Sequence, residues 1–232
     1  ALPISTLRRR RAICLDFEGI DGAGKATQVQ MTAEFLRSQG KKVAIFSFPR
    51  YKTTVAGRFL DIAIQGPEAE SYRFATLDPV ASAHIHFADY AESFAEIRQA
   101  MEECDYVLFD RYVNSTLFHH GGKLQGDART KFVNHFYRMA HFQYNYPKPD
   151  QVFYLDAPLE LALARIRSRA LEQGRAPDAV EANLKYISDS HEAGLELAGK
   201  YRWNVIPLTE AKIALPREKV FEQITRDLKL AT

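Results

Sequence analysis

Cysteine is nearly absent from this chain: Cys14 and Cys104 are the only two in 232 residues. That scarcity excludes a disulfide-stapled fold and a thiolate metal cluster. Both thiols are expected to be buried and free, in a reducing compartment such as the cytoplasm. Charge of one sign is also lacking, since the formal net charge is +2. A dedicated nucleic-acid surface is therefore not expected. No apolar run approaches the roughly 20 residues that cross a bilayer, so no membrane segment is expected. Internal repeats and low-complexity linkers are missing too. His119 and His120 are adjacent on a helical pattern and point different ways, with no Cys/His set around them, so no metal role is expected. The one charge run is Arg8–Arg11. It reads as a solvated lead into the first strand, with an organellar (mitochondrial or other) targeting remnant or a nucleic-acid arm as alternatives.

The remainder is rich enough for a core. Hydrophobic residues make up 46%, which suits one large α/β domain over residues 1–232. Strand-like runs occur at Ala12–Phe17, Val43–Phe46, Tyr106–Phe109, Gln151–Leu155 and Asn204–Ile206. Helical patterns lie between them, at about 26–38, 54–64, 78–103, 112–119, 127–144, 158–172, 178–200 and 215–229. This alternation predicts a parallel sheet of five strands with helices on both faces. Ligands in such sheets bind beyond the carboxyl ends of the strands. Pro177-Asp178 followed by Glu181 carries a helix-start signature. The breaker-rich stretch before it follows Arg165, Arg167 and Arg169, so a lid is expected at about 168–178.

Glycine is sparse as well, 12 in all, yet Gly19, Gly22 and Gly24 crowd into one turn before Lys25. An apolar strand, a glycine-rich turn and a helix make a phosphate cradle. The spacing Gly19-x-x-x-x-Gly24-Lys25 fits a P-loop, with Ala26 where Ser or Thr usually contributes a magnesium ligand. The ATP-binding set expected here is Gly19, Asp21, Gly22, Ala23, Gly24, Lys25, Ala26, Thr27 and, from the lid side, Arg165.

Four further segments carry chemistry. Asp110 ends a buried-strand pattern, where a P-loop protein holds magnesium directly or through water; a strand-end cap is the bland alternative. Arg111 follows, placed to clamp phosphate or simply to pair with Asp110. The second strand runs into Phe48-Pro49-Arg50, with Lys52 and Arg58 beyond and no carboxylate near in sequence. A nucleoside acceptor benefits from a general base, whereas a monophosphate is already mostly a dianion and needs cations. The pattern favours a phosphate acceptor, a surface loop being the alternative. Asp21 suits the acceptor sugar, a magnesium-bound water or a turn. His84, His86, Phe87 and Tyr90 share a long helix and suit either base recognition or core packing.

These segments together resemble the thymidylate kinase family of nucleoside monophosphate kinases. The matching pieces are Phe17-Glu-Gly-Ile-Asp-Gly-Ala-Gly-Lys25, Phe48-Pro49-Arg50, Asp110-Arg111-Tyr112 with Ser115, Gly121-Gly122-Lys123, and Pro147-Lys-Pro-Asp150 before Leu155-Asp156. The resemblance implies a three-layer P-loop fold with a lid and magnesium-dependent transfer of the ATP γ-phosphate to dTMP. It implies that Lys25, Asp110, Arg111 and the lid arginines Arg169 and Arg175 are catalytic, since Gly22 stands where some members carry arginine. It implies an acceptor site of Asp21, Phe48, Pro49, Arg50, His86, Phe87, Tyr90, Arg111, Ser115 and His119. A homodimer built through helices is implied too. His86 and Tyr90 stand where the family places an aromatic residue and an arginine. Another base preference, a nucleoside kinase or a weakly catalytic nucleotide-binding protein are the alternative readings.

Overall fold

A computed structural model describes residues 11–174, 178 and 181–228. Five strands form its main sheet: β1 Ile13–Glu18, β2 Val43–Ser47, β3 Tyr106–Asp110, β4 Gln151–Asp156 and β5 Asn204–Pro207. All pair in parallel, in the order β2-β3-β1-β4-β5. The expected α/β class and five-stranded parallel sheet are thus found. Alternate residues of a strand face opposite sides. In β1, Cys14 joins the apolar cluster on one face, while Leu15 and Phe17 join the cluster on the other. The same period puts Asp16 and Glu18 on the Cys14 face, both fully buried.

The helices follow the expected alternation with shifts at their ends. They are α1 Lys25–Ser38, α2 Val55–Gln65, α3 Ala69–Tyr72, α4 Pro79–Glu103, α5 Val113–Gly121, α6 Gly126–Arg138, α7 Leu159–Glu172, α8 Leu184–Tyr201 and α9 Arg217–Asp227. In α4, Pro79 takes the first turn and the Asp78 side chain accepts from the amides of Val80 and Ala81. The pattern read as 127–144 ends its α-helix at Arg138 and continues as a π-helical turn, Met139–Gln143. The helix expected from 178 starts instead at Leu184, capped by the Asn183 side chain. The Asp178–Glu181 signature is formed all the same. Asp178 N donates to Glu181 Oε2 at 2.9 Å and Glu181 N to Asp178 Oδ1 at 2.8 Å. It closes a turn ahead of the helix.

Three small elements escaped the periodicity: α3, a 3-10 turn at Phe74–Thr76, and a hairpin of β6 Thr209–Glu210 with β7 Ile213–Ala214. Each is too short to show a period. Cys14 is buried as expected, but Cys104 is only half-buried, because it caps the end of α4. Arg8, Arg9 and Arg10 of the basic run, and Arg175, Ala176 and Pro177 of the breaker-rich stretch, lie outside the described residues. Among the described residues no helix is long and apolar enough to cross a membrane.

Candidate active site

A cavity of about 570 Å³ opens beyond the carboxyl ends of β1, β2 and β3. Its donor end is the glycine-rich turn. Gly22 has φ +80°, and a Cβ there would sit 2.4 Å from Ala162 O on α7. Gly24, at φ +88°, is the N-cap of α1 and offers no side chain to its first turn. The free amides of that turn are thus available to an anion. Lys25 Nζ donates to Gly19 O and Ile20 O, both at 2.8 Å, and so spans the turn. Burial first, then Arg111, pushes the Lys25 ammonium down to about 7. Asp21, Gly22, Gly24, Lys25, Ala26 and Thr27 line the cavity. Ala23 is buried against the apolar cluster, and Gly19 packs on Leu155. Arg165 Nη1 reaches Gly22 O at 3.4 Å.

The centre is charged. Asp110 accepts from Ser47 Oγ at 2.9 Å at the edge of the cavity. Arg111 adopts φ +66°, a left-handed backbone that costs a side-chain-bearing residue about 1–3 kcal/mol. Its Nη2 donates to Asp21 Oδ1 at 2.5 Å, and its Nη1 donates to His119 Nε2 at 3.1 Å. Burial alone would raise the Asp21 carboxyl, but Arg111 and then Lys25 outweigh it and hold it well below the usual range. Glu18 organises this turn. It accepts from Tyr112 N at 3.0 Å, Ser115 N at 2.9 Å and Ser115 Oγ at 2.5 Å. It thereby caps α5 and fixes the backbone that follows the strained Arg111. Burial lifts the Glu18 carboxyl to about 7, against the pull of those donors. Asp16 accepts from Asn114 Nδ2 at 2.8 Å beside it.

The far end is aromatic and imidazole-lined: Phe48, Pro49, Tyr51, Phe74, His86, Tyr90, Ser115, His119, His120 and Tyr186. His86 and His120 rings lie 5.1 Å apart, and burial pushes His86 down to about 3. The neutral imidazoles leave Arg111 as the principal cation there. Tyr90 is in the wall, but its hydroxyl donates to Tyr112 O at 2.9 Å and meets Thr116 Oγ1 at 2.8 Å. Lys123 Nζ donates to Leu77 O at 2.9 Å, Ser82 Oγ at 3.1 Å and Phe74 O at 3.2 Å. It ties the 74–82 segment, which carries Phe74, to the end of α5.

Some expected site residues are not brought to the cavity. Phe87 turns into the core, 5.3 Å from Phe136 and 6.1 Å from Tyr146. Its neighbour His86 takes the cavity face, because adjacent helical residues diverge by about 100°. The Arg50 guanidinium runs along α4 instead, to Ser93 Oγ at 3.1 Å and Glu96 Oε2 at 2.9 Å. Carboxylates do stand near the end of β2, supplied by α4 and invisible from local sequence. Asp89 accepts from Arg50 N at 2.9 Å and Thr54 Oγ1 at 2.5 Å, and Glu92 from the amides of Val55 and Ala56. Neither lines the cavity. Arg169 does line it, paired with Glu181. Glu18, Asp16, Tyr51, His120 and Tyr186 were missed in the sequence. Only the two β1 acids had a signal, two carboxylates spaced by two in an otherwise apolar strand.

Comparison with known proteins points to one family. The family model described as thymidylate kinase matches residues 17–220. A thymidylate kinase of Mycobacterium tuberculosis is 33% identical over 193 residues, covering 82% of this chain and 88% of the relative. One from Bifidobacterium longum subsp. infantis is 29% identical over 220 residues, covering 93% and 85%. A solved thymidylate kinase from Candida albicans shares the fold, with a TM-score of 0.69 at 18% identity over 93% of this chain and 90% of that one. On these grounds the chain belongs to the thymidylate kinase family.

Proposed function

We infer that this chain transfers the γ-phosphate of ATP to dTMP, giving dTDP and ADP. The observation that carries this reading is one cavity with two ends. A P-loop closed by Lys25 lies at one end, an uncharged aromatic pocket at the other, and Arg111 sits between them. The nucleophile is an oxygen of the acceptor phosphate, largely a dianion at neutral pH. It bonds to the γ-phosphorus as the bond to the β–γ bridging oxygen breaks, and no proton need be removed. Catalysis then reduces to positioning and charge. Lys25 and the amides of the α1 start hold the donor phosphates. Arg111 holds the acceptor phosphate, and Asp21 fixes Arg111. Arg169 leaves Glu181 to meet the transferring group as the lid closes, with Arg175, outside the described residues, as its partner candidate.

Magnesium fits the residues present. Among the described residues no group of three or more His, Cys, Asp or Glu is placed to hold a metal alone. Magnesium does not need one, since it binds one or two carboxylates together with substrate phosphates and water. Asp110 is the carboxylate that would hold the ion, through water, with no side-chain oxygen from Ala26. Bound there, it would supply charge neutralisation for the donor phosphates. The nucleoside-kinase reading loses ground, because the carboxylates near β2 are spent on backbone amides and Thr54. We further propose a homodimer of the family kind, working in the cytoplasm with small nucleotides and neither nucleic acid nor membrane as partner.

The test is a phosphorylation panel with ATP, magnesium, every ribo- and deoxy-monophosphate and thymidine. dTDP formation with dTMP as the leading acceptor supports the reading. Preferential turnover of thymidine, or tight ATP binding with no transfer to any acceptor, refutes it.

A further inference from the structure

Arg111 is held between two acceptors of different kind, the Asp21 carboxylate and the His119 imidazole. A guanidinium has only donors. His119 Nε2 must therefore accept, the ring proton must sit on Nδ1, and the imidazole must be neutral. Nδ1 is buried without a hydrogen-bond partner, so nothing at that nitrogen chooses the tautomer. The contact with Arg111 chooses it. The ring itself is fixed by packing: it stacks on Tyr186 at 5.7 Å and 13°, and lies 4.4 Å from Phe118. Burial, and then Arg111, drive the imidazole well below its ordinary value, in accord with a neutral ring.

The aim of Arg111 needs such a support. Its left-handed backbone takes the side chain off the regular line of β3. Asp21 anchors one terminal nitrogen and His119 the other, and these contacts use two of the five guanidinium N–H groups. The chemistry of the second anchor matters. A carboxylate at 119 would place Arg111 between two negative charges and cancel its attraction for a phosphate dianion. A cation there would repel Arg111.

We propose that His119 is the positioning residue for Arg111, a neutral acceptor that fixes the guanidinium's aim without cancelling its charge. This rests on the reading of Arg111 as the acceptor-phosphate cation. Two measurements test it. The first is the imidazole nitrogen shifts of His119 in the ligand-free chain at neutral pH. They should show the neutral Nδ1–H tautomer; the Nε2–H tautomer or the cation would overturn the proposal, whatever the enzyme's activity. The second compares steady-state constants for ATP and dTMP. His119→Leu should raise the dTMP KM about 10- to 100-fold, the scale of losing a charge-assisted hydrogen bond, and leave the ATP KM unchanged. His119→Gln keeps an acceptor and should stay within about threefold of the parent. His119→Glu should impair dTMP use at least as much as the leucine, and it serves if His119→Leu does not fold. A dTMP KM unmoved in His119→Glu, or equal impairment in all three variants, would overturn the proposal. A parent chain that forms no dTDP would instead count against the proposed function, and the tautomer would still decide the contact.

Discussion

The two ends of the cavity are built by different means. The donor end is made of backbone: glycines at positive φ, the open first turn of α1, and a lysine that follows at fixed spacing. The acceptor end is made of side chains from segments far apart in the chain, Phe48, Phe74, His86, His119 and Tyr186. Backbone sites are set by local geometry and tolerate little change. Side-chain sites are set by packing, and their chemistry can be exchanged residue by residue. Arg111 joins them: Glu18 holds the backbone that follows it, and the Asp21 and His119 contacts hold its guanidinium.

This contrast can be broken most severely at Lys25. Lys25→Met removes the donor-end charge together with the two bonds that span the turn, and kcat/KM should fall about a thousandfold or more, with the dTMP site intact by equilibrium binding. Next comes Gly22→Ala. At φ +80°, with a Cβ 2.4 Å from Ala162 O, the new side chain forces α7 away. The variant should lose about 1–3 kcal/mol of stability, read by denaturant melting. At the acceptor end, Tyr90→Phe should cost only about 1 kcal/mol, the scale of one internal hydrogen bond. The ranking of dTMP, dUMP and dCMP should not move, because that hydroxyl serves Tyr112 and Thr116. A changed ranking would return Tyr90 to base recognition.

The smallest effect is a linkage. Burial holds the free Lys25 ammonium down at about 7. ATP phosphates raise it, so the complex binds a proton that the free chain lacks above pH 7. ATP affinity should therefore decline as pH rises through that window. Calorimetry at pH 8 in two buffers of different ionisation heat should register net proton uptake, and Lys25→Arg should abolish it.

The same contrast decides what could be read from the chain alone. The P-loop was legible because its parts are contiguous and its glycines have a local reason. The sheet was legible because five buried runs alternate with helical periods. The acceptor end was only partly legible. Periodicity placed His86 and Tyr90 on one long helix, but not Phe87 in the core or the Tyr90 hydroxyl on Tyr112. Arg50 follows a strand end and was expected to face phosphate, yet α4 supplies Glu96 to draw it aside. Glu18 acts on Tyr112 and Ser115, more than ninety positions away, a pairing that no local pattern encodes.

Arg111→Ala measures most directly whether Arg111 serves the acceptor end alone. ATP affinity and dTMP-dependent turnover should be taken on the same preparation. The prediction is an ATP Kd within about threefold of the parent, with kcat/KM for dTMP down by about two to three decades. Parallel loss of ATP binding, or dTMP turnover that survives the substitution, would contradict it.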